Sequence, residues 1–177
     1  MKESRYIVDL IGEVVASVRT GYDPPNGYAT GSPFYLYGHP LEIVNTLTEW
    51  SKNPTRKYEK FPLIILFQDF EETKGENLWI NSKVSLNMVI VTDTKKSYKS
   101  AERYEKTFKT VLYPLYDALM EEIAISGYFM EKEGLISHTK IDRMFWGKSD
   151  LYGNTANIMN DFIDAIELKN LQLSILN

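Results

Sequence analysis

Five consecutive apolar residues, Leu63-Ile64-Ile65-Leu66-Phe67, leave no polar face to give to water. A run that short, with β-branched residues in its middle, predicts a strand buried on both faces. Pro62 stands before it and the acidic pair Glu71-Glu72 lies beyond it. A proline cannot donate to a ladder, so Pro62 fits the start of a strand better than its interior. A strand hidden on both sides needs cover on both sides. The run is therefore expected to be the central strand of a sheet, with the other elements packed around it.

The rest of the chain supplies that cover. From Ser4 to Arg19, Tyr6, Ile7, Leu10, Ile11, Val14, Val15 and Val18 recur at helical spacing and form one apolar stripe. Ser4 suits the N-cap, and Arg19 with Gly21 suits the C-terminal end. Phe34-Tyr35-Leu36-Tyr37 reads as a short strand stopped by Gly38, and Pro40 fits the first turn of a helix ending before Asn53-Pro54. Val84 to Thr92 alternates and then turns fully apolar, the pattern of a hairpin partner for the buried run. Tyr98 to Ser126 is the longest helical pattern. Pro114 inside it predicts a kink near Tyr113 or two abutting helices, because it removes one backbone bond at about 3 kcal/mol. His138 to Trp146 and Phe162 to Lys169 read as strands. Leu171, Leu173 and Ile175 continue on the opposite parity, which places a bulge or a tight turn at Lys169-Asn170. The expected fold is one α+β domain over residues 1–177. It has a central antiparallel or mixed sheet, with the N-terminal helix and the long helix packed on it.

Composition narrows the classes of function. A chain of 177 residues is long enough to bury a core without staples, and it contains no cysteine, so disulfides and thiolate chemistry are excluded. A net charge of −4 gives no overall basic footprint for nucleic acid. No apolar run approaches the roughly 18 residues of a membrane-spanning helix, and no membrane partner is expected.

No motif announces a chemistry. His138 and Asp142 share a strand face but sit roughly 13 Å apart, and metal sites need three or four converging ligands. Asp69, Glu71 and Glu72 past the buried run, with Glu167-x-Lys169 near the C-terminus, are the residues a metal-dependent nuclease would use. Glycine-rich phosphate cradles and a nucleophile elbow are absent from the sequence. The basic groups Arg56-Lys57-Lys60 and Lys95-Lys96-Lys99 each have acidic neighbours and read as solvated faces. Neither a catalytic residue, nor a metal, nor a cofactor is expected. Tyr22, Tyr28, Trp79, Phe145, Trp146 and Tyr152 fall in or beside loops, and aromatics exposed there point to an interface.

The order of these elements, with "KYEKFPLIILF" and then "VSLNMVIVT", resembles the tail-terminator, or tail-completion, proteins of tailed bacteriophages. The stretches "RYEKTFKTVLYPLYDAL", "HTKIDRMFWGK" and "DAIELKNLQLSI" are similar to structural proteins of phages that infect Bacteroides-type bacteria, including crAss-like phages. The helix Pro40 to Lys52 and the 148–160 loop are additions to the usual compact terminator. The resemblance implies a virion protein, made in the bacterial host cytoplasm, that forms a hexameric or dodecameric ring at the neck or tail end. Its partners would be copies of itself and the adjacent neck, portal-side and tail proteins, with DNA passing through the lumen without specific binding. Loops 20–33, 71–82 and 148–160 would reach between subunits. A metal-dependent nuclease and a cytosolic protein-interaction module are the alternatives.

Overall fold

The computed structural model describes residues 6–74, 81–130, 136–147 and 161–176. Among them the chain runs α1 (Ile7–Gly21), β1 (Phe34–Gly38), α2 (Pro40–Lys52), a short 3-10 turn (Arg56–Tyr58), β2 (Leu63–Lys74) and β3 (Asn81–Asp93). A long helix follows in three contiguous segments: α3 (Ser100–Arg103), a π-helical segment (Tyr104–Leu112) and α4 (Tyr113–Ile125). The chain ends with β4 (Thr139–Arg143) and β5 (Ile163–Leu176). The five strands form one mixed sheet in the order β1-β2-β3-β5-β4, with only β1 parallel to its neighbour. The fold is α+β, with the N-terminal helix and the long helix in place.

Both faces of the sheet are covered, unequally. One face carries Ile64, Leu66, Leu86, Met88, Ile90, Ile166 and Leu168 against the apolar stripes of α1, the π segment and α4. The other carries Leu63, Ile65, Val89, Val91, Ile163 and Ala165 against Ile43 and Leu47 of α2. The double burial of Leu63 to Leu66 follows from this sandwich, and all four are fully buried. The buried run is not the middle strand, however. β3 takes that place, because β2 has β1 on its other side.

Several local features follow from single residues. β1 stops at Gly38, whose φ of +135° lies in a region L side chains rarely adopt. His39 then caps α2, its Nδ1 accepting from the Leu41 N–H at 3.2 Å, with Pro40 at the first helical position. In the long helix the hydrogen-bonding pattern changes beside Pro114, while the backbone stays helical across the junction. The π segment ends at Leu112 and α4 restarts at Tyr113, so the proline occupies a first-turn position where a missing N–H costs little. The phase slip at Lys169-Asn170 is a bulge inside one continuous strand. Two steps on β3, from Leu86 to Met88, oppose three on β5, from Leu171 to Leu168. Asn170 has a φ of +53°, and its N–H donates to Asn87 Oδ1 at 3.3 Å.

The loop expectations need correction. Residues 71–74 and 81–82, expected in a loop, belong to β2 and β3. The 20–33 loop folds back on its own subunit: Arg19 Nε donates to the Pro33 carbonyl at 3.1 Å, and Tyr28 shares a hydrogen bond with Thr92 at 2.9 Å. The 148–160 loop lies outside the described residues. Among the described residues no helix is long and apolar enough to cross a membrane.

Candidate functional site

The richest polar chemistry surrounds the outer strand β4 and the turn after it, residues 138–147. Successive side chains of this stretch are fastened to opposite faces of the sheet. Toward the long helix, the Tyr113 hydroxyl donates to Asp142 at 2.6 Å, and the Lys140 ammonium donates to the other oxygen of the same carboxylate at 2.6 Å. Lys140 also lies over the rings of Tyr113 and Tyr116, at 4.6 and 5.3 Å. The bond to Asp142, together with partial burial and that carboxylate's charge, pushes the Tyr113 phenol up to about 12. One turn on, Tyr116 meets His138 Nε2 at 2.8 Å, while His138 Nδ1 sits 2.8 Å from the Ile136 carbonyl. A carbonyl only accepts, so Nδ1 carries the hydrogen, and with Nδ1–H as the tautomer Nε2 accepts a hydrogen bond from the Tyr116 hydroxyl. His138 and Asp142 are thus fastened to residues 116 and 113 of one helix and not to each other.

On the opposite face, Glu167 of β5 accepts from Arg143 Nε at 2.8 Å and from the Trp146 indole N–H at 2.9 Å. Burial pushes the Glu167 carboxyl up. The hydrogen bonds from Arg143 and Trp146 and the charges of Arg143 and Lys169 outweigh it, and the group is held below the ordinary value of 4.5. Trp146 itself packs on Phe67, with ring centroids 6.4 Å apart.

Between these clusters lies a fully buried ion pair. Asp164 accepts from Arg103 Nη1 at 2.9 Å, from the Thr107 hydroxyl at 2.8 Å and from the Phe145 N–H at 3.0 Å. Arg103 also donates to Thr94 Oγ1, the Tyr98 carbonyl and the Lys95 carbonyl, at 2.9, 3.1 and 2.7 Å. The Phe145 ring covers the guanidinium at 3.4 Å. Phe145 takes a left-handed backbone, φ +51°, which is rare for a bulky residue. Its N–H bond to Asp164 and its stacking on Arg103 hold it there. Four separate segments therefore converge on one buried carboxylate and one buried guanidinium, which locks the turn after β3, the start of the long helix, the start of β5 and the turn after β4 into one body.

These placements revise the predicted interface. Tyr22 and Tyr28 are half-buried and pack against the core, as does Trp146. Burial and nearby acids raise the phenols of Tyr22 (to about 12) and Tyr28. Phe145 is engaged by Arg103, as above. The loop aromatics that can be placed are thus fasteners of their own subunit, not exposed anchors. Trp79 and Tyr152 lie outside the described residues.

The residues proposed for metal-dependent cleavage are not gathered. Glu71 pairs with Ser85, whereas Glu167 pairs with Val89. Two strands across and four residues along, that is roughly 16 Å between backbones. Asp69 is exposed in the irregular stretch between Phe67 and Glu71, and Glu167 is already bound to Arg143 and Trp146. Among the described residues no group of three or more His, Asp or Glu side chains is placed to hold a metal ion.

What sequence reasoning missed is the Arg103–Asp164 pair, although a signal existed. Arg103 and Thr107 lie in phase with Val111 and Leu115 on the buried stripe of the long helix, and Asp164 lies in phase with Ile166 and Leu168 on β5. A charge on a buried stripe needs a counter-charge facing it. No protein-family profile matches the chain, and no curated protein matches it.

Proposed function

We propose that this chain is a structural virion subunit that forms a homo-oligomeric ring at the head–tail junction or tail end of a tailed bacteriophage. It joins the rings above and below it, and DNA passes through its lumen without being specifically bound. The observation that carries the reading is the sheet's two unlike margins. One margin is β1 with the far half of β2, and the other is β4. Copies that meet at their unlike margins do so head-to-tail, and a head-to-tail contact makes a ring where its rotation closes and a filament where it does not. The order of elements, which resembles that of tail-terminator proteins, and the rigid fastening of β4 support the same reading. Negative-stain images of the purified full chain test it. Annular particles with an open centre are expected, and a field of isolated globules at every concentration would contradict it, favouring a monomeric interaction module.

A further inference from the structure

β2 is twelve residues long, but β1 pairs with only its first five, from Phe34↔Leu63 to Gly38↔Phe67. After an irregular stretch at Gln68 to Phe70, the strand pairs again with β3 on one side, from Glu71↔Ser85 to Lys74↔Ser82. On its other side no strand lies beside it among the described residues. An edge of that kind presents a row of backbone donors and acceptors, the template on which another chain adds a strand. We infer that this free edge of β2 accepts β4 of a second copy, making one sheet that runs from subunit to subunit. The inference deepens the ring reading and rests on it.

The side chains decide which strand fits. Asp69, Glu71 and Glu72 are all exposed, and none is in an ion pair among the described residues. A second β2 edge would set these carboxylates against their own copies, and like charges across a ladder oppose pairing. A strand with cations is favoured. β4 is the outer strand on the opposite margin; its Lys140 and Arg143 are paired within the subunit with Asp142 and Glu167, so it brings cations and no unpaired carboxylate to the ladder. Its fastening to Tyr113, Tyr116 and Glu167 fixes it before any partner arrives, so little ordering cost is left for association. Tyr104 (48% exposed) and Met144 (38% exposed) lie beside it, residue types enriched at interfaces. Because donor and acceptor are on opposite margins, every copy uses both, and no two-fold dimer satisfies them.

The cysteine-free chain gives a clean background for cross-linking. Glu71→Cys and Glu72→Cys project to opposite faces of β2, and Thr139→Cys and Lys140→Cys do the same on β4. The full chain is prepared with each of the four pairwise combinations, oxidised, and run on a non-reducing gel beside the single-cysteine variants. Light scattering is recorded on the same samples before oxidation. At least one pair is expected to give a ladder of covalent multimers, whereas single variants stop at dimers. Glu71→Lys/Glu72→Lys is expected to weaken assembly about ten-fold or more while leaving the circular dichroism unchanged. A ring mass by scattering with no ladder from any pair overturns the β2–β4 contact and leaves the ring standing. A monomer mass for the parent chain overturns both.

Discussion

Asp164→Ala is the most informative single change for the fold. Asp164 is fully buried, and its partner Arg103 is 1% exposed. The substitution removes the only carboxylate that Arg103 contacts in this buried cluster. It leaves the guanidinium with Thr94 and the carbonyls of Lys95 and Tyr98, all neutral acceptors. Arginine stays protonated under these conditions, so the charge remains. The Phe145 N–H is orphaned as well, while the Thr107 hydroxyl keeps the Arg103 carbonyl at 2.6 Å. Breaking a buried pair in this way costs about 3–5 kcal/mol, a large share of the roughly 5–15 kcal/mol that holds a domain together. Replacing both partners by apolar residues, Arg103→Met with Asp164→Leu, removes the stranded charge. It should recover most of the loss, though not all, because the Phe145 N–H still lacks an acceptor. Urea unfolding followed by circular dichroism gives each difference by linear extrapolation. A loss under about 1 kcal/mol for Asp164→Ala, or a double variant less stable than the single, would refute the keystone role.

Three further outcomes follow from the same contacts. Ile65→Ala deletes a fully buried side chain between α2 and the sheet and should cost about 2–5 kcal/mol, while Ile65→Asp strands a charge there and should prevent folding; both are read by the same unfolding assay. Glu167 is held below its ordinary carboxyl value of 4.5, so its contribution is present above that value and lost as pH falls through the lower folded value. An acid titration of Glu167→Gln should accordingly be flatter below pH 4.5 than that of the parent, with a lower stability at neutral pH. The Tyr22 hydroxyl is buried with no hydrogen-bond partner among the described residues, so Tyr22→Phe should be neutral or stabilising by up to about 1 kcal/mol, as measured by thermal unfolding.

The sequence made local architecture legible wherever one residue controls the backbone. Pro40 and Asn53 bound α2, Pro114 marks where the π segment gives way to α4, and the parity of Leu171 and Leu173 reveals the bulge beside Asn170. Strand order was not legible. Leu63–Leu66 is buried on both faces because helices lie above and below it, and that burial says nothing of which strand has two long neighbours. The reading of the loop aromatics as exposed has a related cause. Tyr22, Tyr28 and Trp146 fall between periodic segments, so they read as exposed, yet each packs onto a core assembled from residues distant in sequence. The pairings that define the β4 site, Tyr113 with Asp142 and Arg103 with Asp164, span 29 and 61 residues, and no local pattern links such partners.

The ring reading rests on head-to-tail assembly of copies of this chain. Native mass spectrometry of the purified chain tests it most directly. One closed assembly is expected, its mass a six-fold or twelve-fold multiple of the 20.5 kDa subunit, with no stable dimer. A spectrum that holds only the 20.5 kDa species up to the highest concentration reached would contradict it.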